Sequence, residues 1–202
     1  MSMMIASLAL FLAAQPAADG PIGTAVKPPT LVSPATPAPR SVPIGPPGAK
    51  GSSLEFDPKT KVDGPALQVI LGERAVFRVD EKGMPKLDSV EAGKLAAAHP
   101  AGAARETFTS PGAGRLAAAL DGSSERRATA LKIWNGLDYP VDYNAVALVL
   151  RNGEALTPTR VAVCAVKPGE TRTELWPAPV VAVGLMGFKR AGPDAAARAA
   201  CK

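Results

Sequence analysis

Residues 141–166 read VDYNAVALVLRNGEALTPTRVAVCAV, and the architecture is set by how this stretch is read. Two long apolar runs flank Asn152-Gly153. Asn-Gly adopts the positive φ values of a type I′ turn without strain, which makes this the strongest local hairpin signal in the chain. Arg151 and Glu154 stand on either side of it and are expected to pair across the strands, for about 0.2–1 kcal/mol. Working outward, ATALKIW (Ala128–Trp134) and NGLDYP precede the hairpin, while KPGE, TRTELW (Thr171–Trp176) and PVVAVGLMGF follow it. Five strand-like runs with no helix between them predict an antiparallel β-sandwich. Val146–Val149 is apolar at both parities, as in a strand covered on both faces.

Further upstream the pattern loosens. ALQVI (Ala66–Ile70) and RAVFRV (Arg74–Val79), separated by Leu71, Gly72 and Glu73, predict another hairpin. Asp80–Gly83, DEKG, reads as a turn into MPKL. Residues 89–124 are alanine-rich. SVEAGKLAAAH and GRLAAALDG each predict a short helix, the second stopping near Gly122, with RETFTS (Arg105–Ser110) as a strand between them. The segment is expected to be a helical or irregular insertion over the sheet.

The N-terminal quarter has a different composition. Met3–Ala14 is an apolar run of the length of a signal-peptide core and too short to span a bilayer, although no Lys or Arg precedes it. Residues 1–18 are therefore read as a signal peptide, and a lipid-anchored form is not expected because no cysteine lies near the cleavage region. Between Pro16 and Lys50 lie ten of the 21 prolines. Proline removes backbone donors and fixes φ, so residues 19–53 read as a disordered, extended linker. Residues 54–188 are the expected sandwich domain and 189–202 a basic tail. The net charge of +5 resides in the leader and the tail, because Leu54–Met186 carries 16 basic and 16 acidic residues. A nucleic-acid partner would require basic residues concentrated on the folded part, so none is expected.

Cys164 sits among valines, in a run read as a strand, and admits three readings. A nucleophile needs a base in reach, and His99 is the sole histidine of the chain. A zinc site needs about four closely spaced ligands, against two cysteines 37 positions apart. The third reading is a disulfide between Cys164 and Cys201, which export would favour; a buried cysteine with a free C-terminal partner is the competing one. Tyr139, Tyr143 and Trp176 cluster in the best-patterned region with Trp134 and offer either core or a binding surface. Asp138 and Asp142 flank Tyr139-Pro140-Val141, where a solvated loop outweighs calcium, which takes six or more oxygens. No phosphate loop, nucleophile elbow or dinucleotide fingerprint is present, and no metal or cofactor is expected.

The order of strand, NGLDYPVDY, strand, KPGE and closing strand, over Ala128–Phe188, resembles small immunoglobulin-like modules of bacterial envelope proteins. FxLYD-type domains are among them, although the Phe-x-Leu-Tyr-Asp string itself is absent. The resemblance implies an immunoglobulin-like β-sandwich that binds or scaffolds without catalysis, and it transfers no functional residue. The resulting expectation is an exported binding or assembly module, periplasmic or secreted, with an envelope protein or cell-wall component as partner. The alternatives are a structural spacer, or an enzyme using His99, Asp138 and Asp142 between residues 89–124 and the 135–143 loop.

Overall fold

The computed structural model describes residues 40–43, 53–151, 155–192 and 201, with side chains from residue 57 onward. The signal peptide, the leader before Arg40, the Asn152-Gly153 turn and residues 193–200 of the tail lie outside the described residues. Strands β1 (Arg40–Pro43) and β2 (Ser53–Phe56) form a ladder of their own, so part of the stretch read as a disordered linker is paired strand. Pro43 ends its strand, where a missing donor is tolerated.

The chain then alternates between two five-stranded antiparallel sheets. β3 (Lys61–Asp63) and β4 (Ala66–Ile70) belong to the first. β5 (Glu73–Val79), β6 (Pro85–Ala92), β7 (Leu116–Ser123) and β8 (Ala128–Asn135) belong to the second. β9 (Val141–Arg151) and β10 (Ala155–Val161) return to the first, β11 (Thr171–Trp176) joins the second, and β12 (Val180–Arg190) closes the first. The strand orders are β10-β9-β12-β4-β3 and β11-β8-β7-β5-β6. The five runs read from residue 128 onward are all strands. β12 carries through Lys189 and Arg190, two residues expected in the tail.

Alternating residues of both sheets meet in the main core: Leu67 and Val69 of β4, Phe77 of β5, Leu116, Ala118 and Leu120 of β7, Val183, Leu185 and Phe188 of β12. Burying each large side chain of this kind contributes about 1.5–3 kcal/mol. A second core lies on the other face of the second sheet. There Val76, Ala117, Ala119, Ala130 and Trp134 are covered by Leu95, Ala98 and Phe108 from the connection between β6 and β7.

Three expectations are corrected. First, β4 and β5 form no hairpin, because the chain changes sheets between them. The Leu71 amide bonds to Val181 O in the first sheet (3.0 Å), and the next amide, Gly72, bonds to Leu120 O in the second (2.8 Å). Gly72 makes the crossing at φ +85°. Second, the run Leu116–Leu120 is a strand between β5 and β8, not a helix. Helix propensity is a weak prior, and here small side chains are needed for another reason: Ala117 and Ala119 let the cover approach the outer face, while Leu116, Ala118 and Leu120 fill the inner one. Of SVEAGKLAAAH, Ser89–Ala92 is strand and only Ala96–Ala98 turns helically, as one 3₁₀ turn. RETFTS is not a strand, although Thr107 exchanges bonds with Lys94 (N to O 3.1 Å; Lys94 N to Thr107 Oγ1 2.8 Å). Third, β10 ends at Val161, so Cys164 lies past the strand, in the crossing to β11.

Ala117→Leu is expected to lower the unfolding free energy by about 1–3 kcal/mol, because the added atoms have no space between sheet and cover. Ala103→Leu, on the exposed part of the same connection, should stay within about 0.5 kcal/mol. Urea unfolding of both variants checks this.

Candidate functional site

One end of the sandwich gathers three pieces of chain: the β5–β6 turn at Asp80–Gly83, the β8–β9 connection and the end of β12. Together they enclose a cleft of about 450 Å³ with an apolar floor, in which Leu137 and Phe188 take part, and a charged rim. Each piece is held locally. Asp80 Oδ1 accepts the amides of Met84 and Lys82, both at 3.0 Å. The Met84 bond is the largest influence holding the Asp80 carboxyl below its ordinary range. Gly83 has φ +79°, and a Cβ there would fall 2.3 Å from the Phe188 carbonyl, so only glycine lets this turn lie against β12.

The β8–β9 connection hangs on Asn135, whose buried amide is fully used. Its Nδ2 donates to the carbonyls of Tyr139 and Val166, both at 2.9 Å, and its Oδ1 accepts the Leu137 amide at 3.0 Å. Tyr139 is thereby fixed by its backbone, and its ring lies under the Arg190 guanidinium, 4.2 Å from carbon to centroid. A cation over a ring face is a favourable arrangement. The Ala191 amide then bonds to Pro140 O at 2.8 Å, closing β12 onto the same connection.

The remaining sequence-derived residues divide. Tyr143 is core, not binding surface: it is 1 % exposed and its ring stacks on Phe188 at 6.0 Å. Burial pushes its phenol well above the ordinary range, with Glu174 adding to the effect. Its hydroxyl has no hydrogen-bond partner among the described residues. Trp176 is half-buried and packs against the main core. Asp138 is exposed, whereas Asp142 is buried, accepts the Tyr143 amide at 3.0 Å and lies 3.9 Å from Lys189. Cys164 and Cys201 have sulfurs at bonding distance, with Cα atoms 5.4 Å apart. Arg172 points its guanidinium at the Cys164 sulfur (3.3 Å) and pairs with Glu174 (3.1 Å).

His99 is committed elsewhere. Its Nε2 lies 2.9 Å from Asp121 Oδ2, and the same oxygen accepts the Leu95 amide at 2.7 Å. The group fastens the β6–β7 connection to β7. Asp121 sits five residues along β7 from Leu116, the residue opposite Asn135, so about 17 Å of strand separates His99 from the Asp138 end. The structure does not bring His99, Asp138 and Asp142 together. No group of three or more His, Cys, Asp or Glu side chains able to hold a metal occurs among the described residues, and none of their helices is long and apolar enough to cross a membrane.

The sequence reading missed Arg190, Lys82 and Asn135. The only signal for Arg190 was its position at the end of an apolar run, which also fits a tail. Comparison with known protein families, curated proteins and solved structures finds no match for this chain.

Two stability effects follow. Tyr143→Phe removes a hydroxyl that has no partner among the described residues and should leave stability unchanged or slightly raised, whereas Tyr143→Ala should cost about 3–5 kcal/mol; thermal unfolding distinguishes them. Reducing the Cys164–Cys201 link, which closes a 37-residue span, should cost about 3–4 kcal/mol in the chain-entropy account, measured as a shift of the urea midpoint with reductant.

Proposed function

We propose that this chain is exported and serves as a non-catalytic binding or assembly module of a bacterial periplasm or envelope. Its immunoglobulin-like sandwich is carried on a proline-rich leader. The observation that carries this reading is the pairing of Cys164 with Cys201. Structural disulfides persist in oxidising compartments and are rare in the cytosol. The apolar run Met3–Ala14 supports export independently.

A binding role fits better than catalysis because the groups that could do chemistry are engaged. The Cys164 sulfur is paired with Cys201, and His99 is bonded to Asp121 far from the other candidate acids. What the fold offers instead is a cleft at one end, built from connections that two sheets hold in place. Binding residues sit disproportionately on such loops. The partner fitting this setting is another envelope protein or a cell-wall component.

The test is the intact mass of the full-length product recovered from an exporting host, before and after reduction. Loss of about 14–18 N-terminal residues and a gain of two hydrogens on reduction are expected, with a specific partner recovered by cross-linking in envelope extract. A full-length cytosolic product with two free thiols would sink the reading.

A further inference from the structure

The end cleft carries more information than its shape. Arg190 is exposed and its guanidinium lies over the Tyr139 ring at 4.2 Å. Among the described residues it makes no side-chain hydrogen bond and no ion pair, unlike Arg74, Arg78 and Arg172. An arginine whose cationic centre rests over a ring, with no other side-chain partner, keeps its N–H donors available, and a guanidinium meets a carboxylate through two parallel bonds. Its anchorage is firm on both sides. The backbone of Arg190 pairs with Val141, and Tyr139 is held through its carbonyl by Asn135.

The other charges on the rim are largely engaged. Asp80 is held by its own turn and lies 3.7 Å from Lys86. Lys189 lies 3.9 Å from Asp142. Lys82 adds a second cation to the rim, and Glu81 is the remaining carboxylate. Below them is an apolar floor that includes Leu137 and Phe188, in a cleft of about 450 Å³, within the range that small ligands occupy.

The geometry points to a site for a carboxylate attached directly to an apolar body, the chemistry of a peptide's C-terminal residue. Arg190 receives the carboxylate and the floor receives the side chain. One fork over one apolar pocket matches such an end group. A free inorganic anion would leave the floor uncovered, and a neutral apolar group would leave the fork unused. This assignment rests on the exported-binding reading and names the end group that the module captures.

The experiment is calorimetric titration of the full, oxidised chain with N-acetyl-leucyl-phenylalanine and with its C-terminal amide. The acid should bind roughly tenfold or more tightly than the amide. Arg190→Gln should remove that difference while leaving amide binding unchanged, and Arg190→Lys should restore only part of it, since an ammonium lacks the fork. Tyr139→Leu should weaken acid binding in the same direction. Circular dichroism confirms that each variant is folded. Equal binding of acid and amide, or an acid preference that survives Arg190→Gln, overturns the assignment. So does the absence of binding by both probes. If that absence accompanies capture of an envelope partner by the exported protein, the carboxylate site alone falls. If no partner is captured either, the binding role falls with it.

Discussion

Every passage of this chain from one sheet to the other has to be provided with hydrogen-bond partners, and the rest of the structure depends on how that is done. A strand within a sheet satisfies its backbone through its neighbours, but a crossing leaves the ladder while still buried, where an unpaired amide or carbonyl costs about 1–3 kcal/mol. Two polar residues of β8 answer this at its opposite ends. Thr129 Oγ1 donates to Ala178 O (2.8 Å) and accepts the Val180 amide (3.0 Å), fastening the crossing from β11 to β12. Asn135 fastens the crossing from β8 to β9 and, through Val166 O, the one from β10 to β11. Both are 2 % exposed. Replacing either by an apolar residue of similar size would take the side-chain partner from two backbone groups at once, Ala178 O and Val180 N for Thr129, Tyr139 O and Leu137 N for Asn135, so these positions are more constrained than most of the core.

The second requirement is packing on both faces of the second sheet. Along its central strand β7 the inner face carries Leu116 and Leu120 and the outer face Ala117 and Ala119, beside which Arg74, Phe108 and Trp134 pack together. Arg74 is 4 % exposed, lies 5.2 Å from the Phe108 ring and 5.6 Å from the Trp134 ring, and pairs with Glu91 at 2.7 Å. It also donates to Thr109 O, which draws the β6–β7 connection onto the sheet. Lys132 does the same at the far side, over Trp134 at 4.9 Å and bonded to Glu106 at 3.0 Å. The connection is thus a layer of the fold, held by cations between rings and carboxylates as much as by apolar contact.

These two requirements explain what could be read from the residues. Strands β8 to β12 were legible because their apolar runs are β-branched and separated by turn residues, signals that act within a few positions. The helix expected at GRLAAALDG shows where local information fails: alanine favours a helix in isolation, yet between β5 and β8 and beneath Phe108 and Leu95 it is the residue that fits a crowded strand. The ALQVI–RAVFRV hairpin failed for a related reason. A three-residue spacer can turn a strand back or pass it to another sheet, and the choice lies with β12 and β7, more than forty residues away in sequence. Tyr143 was legible as an aromatic at a strand position, where core is the commoner place, but its ring partner was not, because its parity relative to Phe188 is set by the pairing of β9 with β12.

The cleft itself was invisible in the sequence for the same physical reason that makes it suitable as a site. Its parts come from positions 80–83, 137–141 and 188–190, which no spacing rule connects, and each is fixed by something outside the cleft. The turn is fixed by Asp80 and the close approach of Gly83 to Phe188, Tyr139 by Asn135, and Arg190 by the β9–β12 ladder. Beyond Arg190, the Cys164–Cys201 link ties the chain end to the crossing that Asn135 also holds through Val166. The rim residues therefore carry little of the folding themselves, and a stacked guanidinium on such a frame loses little freedom when it meets a ligand. Binding energy in that arrangement goes into the contact instead of into ordering the site, which is why an exposed arginine at the end of a strand, otherwise unremarkable, is the residue on which recognition at this end of the sandwich would turn.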